Sequence, residues 1–115
     1  MTVTMDELPD PPMYYDRKGV PITLRQWSDM YSRDPMGRIV KRDTVGTFSV
    51  STVWIGLDHA FTVDPHRPHI FETMIFRIGE DGNRILDELY LERYSTEEES
   101  LEGHQVAVEY AKTLV

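Results

Sequence analysis

Val50-Ser51-Thr52-Val53-Trp54-Ile55-Gly56-Leu57-Asp58-His59 and, one loop later, Ile70-Phe71-Glu72-Thr73-Met74 decide how this chain folds. Both runs are rich in β-branched and aromatic residues, which suit a pleated, packed surface. Successive side chains on a strand point to opposite faces. A strand over residues 47–57 therefore sets Phe48, Val50 and Trp54 against Val53, Ile55 and Leu57. Its first half alternates with serine and threonine, while its end is apolar on both parities and reads as central and covered. A second strand over 70–78 carries Ile70, Glu72, Met74, Phe76 and Ile78 on one parity.

Working outward, Gly79-Glu80-Asp81-Gly82-Asn83 is a hairpin turn, with glycine supplying positive φ. A last strand is expected over 85–94, and a short, half-polar one over 38–43. Sequential strands with short connections usually pair antiparallel. Ahead of them, Thr23 and Gln26 have capping-box spacing, and Ile22 is placed to staple onto Trp27. Leu24, Trp27 and Tyr31 share one helical face until Asp34-Pro35-Met36-Gly37 stops the helix. After Ser95-Thr96, a final helix running to about Leu114 shows a stripe of Leu101, His104, Ala107, Val108, Ala111 and Leu114. The expected fold is α+β: a four-stranded, mainly antiparallel meander with one N-terminal and one C-terminal helix. Residues 1–13 read as an acidic, proline-rich tail and 14–115 as one domain. Leu24, Trp27, Val50, Val53, Ile55, Phe71, Ile75, Leu89, Leu91, Leu101 and Val108 are the expected core.

Composition narrows the function classes. The chain has 115 residues and no cysteine, so disulfides and thiolate metal sites are excluded. Its formal net charge of −8 opposes binding to nucleic acid or an anionic membrane, which depends on cationic side chains meeting phosphate. That charge fits a basic protein partner. No apolar run approaches the ~20 residues that span a bilayer, and acidic residues at the N-terminus argue against a signal peptide. Glycines are scattered singly, with no phosphate loop, so no nucleotide cofactor is expected.

The candidate site is the strand–loop edge bearing Trp54, Asp58, His59 and Glu72, where side chains could converge. Three of the four histidines, His59, His66 and His69, lie in or beside the loop and are the weak metal candidates, with Asp58, Asp64 and Glu72. Their H-x6-H-x2-H spacing matches no ligand pattern, and exposed polar histidines are the simpler reading. Asp58-His59 would be an acid/base pair only if the backbone turns there. Glu72 sits among apolar residues, and pairing with Arg77, Arg93 or Arg38 would offset its desolvation. His104, inside the last helix's stripe, reads as a satisfied core histidine. Trp27 and Trp54 read as core, with an interface role open. Glu97, Glu98 and Glu99 complement the helix dipole; with Asp87, Glu88 and Glu92 they pose DNA mimicry as a competing reading.

The blocks Y-Y-D-R-K-G-V-P-I-T-L-R-Q-W, V-S-T-V-W-I-G-L-D-H, I-F-E-T-M-I-F and R-Y-S-T-E-E-E-S-L-E-G-H, spanning most of residues 14–104, resemble a family of small proteins of actinobacterial tailed phages. The chain departs from it by a longer loop over 62–68 and a longer turn around Asp81. The resemblance implies a phage or prophage product made in a bacterium; it implies no reaction and no catalytic residue. The leading expectation is a non-catalytic accessory protein of the infected host's cytoplasm. It would bind a host or phage protein, without cofactor, nucleic acid or membrane. A sheet with two apolar faces and two helices also raises a homodimer. The alternatives are a metal protein or enzyme using the His59/Glu72 edge, and an acidic DNA mimic.

Overall fold

A computed structural model describes residues 4–58 and 67–115, and only the backbone of 86–88. The chain begins with an antiparallel ribbon, β1 (Tyr14–Tyr15) and β2 (Pro21–Ile22), followed by α1 (Leu24–Arg33) and a 3-10 turn over Pro35–Arg38. Strands β3 (Ile39–Val45), β4 (Phe48–Trp54), β5 (Phe71–Ile78) and β6 (Arg84–Tyr94) then pair in sequence order, all antiparallel, and α2 (Glu97–Thr113) closes the chain. The architecture is thus α+β with two helices. It differs in detail from the expected sheet. The N-terminal ribbon was not foreseen, and it extends the backbone pairing past β4 through a Tyr14–Leu57 bridge and a Tyr15 N–H to Gly56 carbonyl bond of 2.8 Å.

Local chemistry explains the helix ends. The Thr23 hydroxyl accepts the Gln26 N–H at 3.1 Å, and the Gln26 side chain accepts the Thr23 N–H at 2.9 Å, a complete capping box. Thr96 caps α2 with its hydroxyl, which accepts from Glu99 N–H at 3.1 Å. Asp6 and Met5, in the segment expected to be a tail, meet α1: Asp6 pairs with Arg25, and the Met5 carbonyl accepts the Arg25 N–H at 2.8 Å.

Helix α2 lies across one sheet face. Ala107, Val108 and Ala111 pack on Phe48, Val50 and Ile75. A second cluster gathers Tyr15, Trp54, Ile70 and Phe71, with Trp27 and Tyr31 against it. Trp27 stacks on Tyr31 at 4.8 Å and donates its indole N–H to the Ile55 carbonyl at 2.9 Å. Gly56 makes this approach possible, with φ +66°; a Cβ there would lie 2.5 Å from the Trp54 ring and 2.7 Å from the Trp27 indole nitrogen.

Two expected core positions, Leu91 and Leu101, are corrected. Leu91 is 39% and Leu101 43% exposed, while Leu24, Trp27, Val53 and Leu89 are half-buried. Leu101 and Leu114 drop out of the α2 stripe because the helix turns Ser100, His104, Ala107 and Ala111 to the sheet, where small side chains allow close approach. Leu91 belongs to the sheet face that α2 does not cover.

Gly103 is the tightest point of this contact, since a Cβ there would fall 2.2 Å from the Tyr94 ring. Alanine in place of a mid-helix glycine favours the helix by about 1 kcal/mol. Overpacking costs typically ~1–3 kcal/mol, and here the Tyr94 ring packed against the helix must shift to make room. The Gly103→Ala protein should therefore unfold at lower denaturant concentration than the parent. A higher midpoint in urea titration would show that α2 does not seat on Tyr94.

Candidate functional site: the uncovered sheet face and its arginines

The expected convergence of Trp54, Asp58, His59 and Glu72 does not form among the described residues. Trp54 pairs with Phe71 and Glu72 with Val53, so the two point to opposite faces of the sheet. Trp54 is 2% exposed in the aromatic cluster. Glu72 sits on the other face and accepts from Arg93, its neighbour across the strands, at 3.0 Å. One of the pairings expected to offset its desolvation thus exists. Asp58 lies by the N-terminal ribbon, its N–H on the Met13 carbonyl at 3.4 Å. Burial, and secondarily the Asp58 charge, push the Tyr15 phenol up. His59 and His66, with Asp64, lie outside the described residues. His69 is half-buried, and among the described residues no group of three His, Asp or Glu side chains could hold a metal.

The most conspicuous polar assembly is one the strand pattern gave no hint of. Thr52 and Thr73 face each other across β4 and β5 with hydroxyls 2.6 Å apart. The Thr52 hydroxyl is 2.7 Å from His104 Nδ1, and His104 Nε2 is 2.7 Å from Asp43 Oδ2. With the ring proton on Nε2, donation runs from Thr73 to Thr52, to His104, to the Asp43 carboxylate. The order Asp–His–Thr is that of a nucleophile relay, but Thr52, Thr73 and His104 are all 0% exposed. A hydroxyl that no substrate reaches is not a nucleophile, so the chain holds α2 to the sheet. Tyr94 lies beside this chain without joining it: burial pushes its phenol up, and among the described residues its OH meets no partner in hydrogen-bond geometry.

Because α2 covers the parity bearing Thr52 and Thr73, the more apolar parity of β5 is left on the other side. Met74, Phe76 and Ile78 are half-buried there, beside Leu91 and Val53. Among the described residues no helix lies along this face; α1 packs by the N-terminal ribbon and the 3-10 turn. Registers Arg42–Ser51–Met74 and Thr44–Ser49–Phe76 make it a trough. The small Ser49 and Ser51 form its floor, between Arg42 and Thr44 on one side and Met74 and Phe76 on the other. Arg84 lies over the Phe76 ring at 4.9 Å. Burial, then repulsion from Arg42, hold the Arg84 guanidinium below its usual range.

At the Val53 end the trough deepens into a pocket of about 290 Å3 lined by Tyr31, Pro35, Met36, Arg38, Ile39, Arg42, Val53 and Trp54. Arg38 stacks over the Tyr31 ring at 4.0 Å. Among the described residues Arg38, Arg42 and Arg84 enter no ion pair. Among the described residues the buried Trp54 indole N–H has no partner. In a chain of net charge −8, this is a local reversal of sign.

The acidic residues are differently placed. Glu97 pairs with Arg17 and Glu99 with Arg67, each at 2.7 Å, so cations interrupt the cluster at the start of α2. Comparison of the chain with protein-family models, with curated proteins and with solved structures found no match. No helix among the described residues is long and apolar enough to cross a membrane.

If the buried chain is structural, its members couple. Thr52→Val keeps the shape but strands His104 Nδ1 and the Thr73 hydroxyl, at a cost of about 1–3 kcal/mol. Adding Thr73→Val removes one stranded group, so the double variant should lose less than the sum of the two single losses. Additive losses in denaturant titration would mean that the hydroxyls do not depend on each other.

Proposed function

We propose that this is a phage-encoded, non-catalytic accessory protein that works in the cytoplasm of an infected bacterium by binding another protein through the uncovered face of its sheet. One observation supports the reading above the rest. On β5, the parity richer in large apolar side chains, Met74, Phe76 and Ile78, is the one that α2 leaves open. Contiguous apolar surface rimmed by polar groups is characteristic of interaction sites. The absence of a reachable nucleophile from the buried His104 chain, and the resemblance in the V-S-T-V-W-x-G-L-D-H block, are consistent with a binding role. A different protein is favoured over a second copy of this chain, because face-to-face copies would bring like arginines together.

Affinity capture from infected cells tests the reading, using the parent protein beside Leu91→Glu and Phe76→Glu. Each variant places a carboxylate on the face without touching the α2 contact, and a thermal melt checks that it is folded. The expected outcome is a protein retained by the parent and lost from both folded variants. Identical retention by all three, or turnover of a small molecule by the purified parent, would sink the proposal.

A further inference from the structure

We infer that the pocket at the Val53 end of the trough is the anchor point of this face, and that its occupant is an acidic partner segment carrying one large apolar side chain. The inference rests on the binding reading above and specifies the chemistry of the partner. The pocket's size suits a side chain: at about 290 Å3 it lies just below the roughly 300–1,000 Å3 range of drug-sized ligand sites. Its walls are apolar and aromatic, from Tyr31, Pro35, Met36, Ile39, Val53 and Trp54. Binding energy at protein interfaces concentrates where such a pocket takes an aromatic or aliphatic anchor.

Charge selects what flanks the anchor. Arg38 and Arg42 line the pocket, and Arg84 stands across the trough, all without a carboxylate among the described residues. The Arg38 guanidinium sits over the Tyr31 ring and enters no ion pair among the described residues, so its donors can meet a carboxylate. Arg42 and Arg84 repel each other across the trough, and an anionic segment between them relieves that repulsion. A long polyanion such as nucleic acid would run from this patch onto a surface of net negative charge, whereas a short acidic peptide would not.

The test uses defined probes. A fluorescein-labelled peptide with a central phenylalanine flanked by glutamates is titrated into the full-length protein, followed by anisotropy and by the Trp54 indole N–H resonance. Matched peptides replace phenylalanine by serine, or the glutamates by lysines. The expected result is saturable binding that moves the Trp54 resonance and weakens about tenfold or more on loss of the phenylalanine or in Arg42→Glu. Arg42→Glu should in turn gain affinity for the lysine-flanked peptide. Charge reversal of an exposed residue that recovers binding cannot come from misfolding, and Arg84→Glu provides a second exposed variant. Several outcomes overturn the inference: no saturable binding, equal binding of the serine peptide, indifference to both arginine reversals, or the same Trp54 shift from inorganic phosphate or single-stranded DNA. If cellular capture survives Arg42→Glu but fails in Phe76→Glu, the open face remains the binding surface and the anchor alone is refuted.

Discussion

The seating of α2 on the sheet through the chain Asp43–His104–Thr52–Thr73 is the constraint on which the rest of the structure depends. Hydroxyls and an imidazole taken wholly out of water must be bonded, or each costs on the order of 1–3 kcal/mol. Here every link is 2.6–2.7 Å, and the chain ends on a carboxylate that still touches solvent. One register of the helix against β4 and β5 satisfies all of these groups at once. Gly103 and the alanines at 107 and 111 then let the helix approach as closely as those short bonds require.

That choice of face has a consequence on the other side of the sheet. Among the described residues a single helix lies across a sheet that carries apolar side chains on both faces, which leaves one face short of cover. The covered face is the one that carries the threonines, because His104 supplies their partners. The face left over holds Met74, Phe76, Ile78 and Leu91, and with them the arginines of β3 and β6. Apolar surface and local positive charge are thus put together by the demands of a buried polar chain elsewhere. The stacked Trp27 and Tyr31 extend the same surface by holding the end of α1 and the 3-10 turn over Val53, which makes the pocket.

Much of the site's placement was hidden for a related reason. Trp54 and Glu72 are close in the strand pairing, and the sequence offers no sign that they part to opposite faces until the register pairs Trp54 with Phe71. Glu72 was visible as a charge among apolar neighbours, and a cross-strand arginine was a legible partner, but its identity as Arg93 needed the β5–β6 pairing. Arg38, Arg42 and Arg84 are far apart in the chain, and nothing in their spacing shows that they stand around one trough. Leu101 looked like a core residue by helical spacing. It is exposed because the helix turns Ser100 and His104 inward, a rotation set by polar partners that periodicity does not count.

By itself, the sequence determined what depends on neighbours along the chain. It fixed the capped start of α1, its stop at Asp34-Pro35, the turn over 79–83, and strands and helices close to their observed bounds. It also fixed the sign of the charge and the lack of thiol chemistry. These follow from capping bonds, proline's missing donor, glycine's φ and the alternation of side chains, all local effects. Tertiary structure alone decided which face of the sheet is covered. On β4 the more apolar parity, Phe48, Val50 and Trp54, is the covered one, whereas on β5 the more apolar parity, Met74, Phe76 and Ile78, is the open one, so hydrophobicity pulls the two strands in opposite directions. The choice falls to a hydrogen-bond chain linking residues 43, 52, 73 and 104, and such a chain exists only once three strands and a helix are already in place.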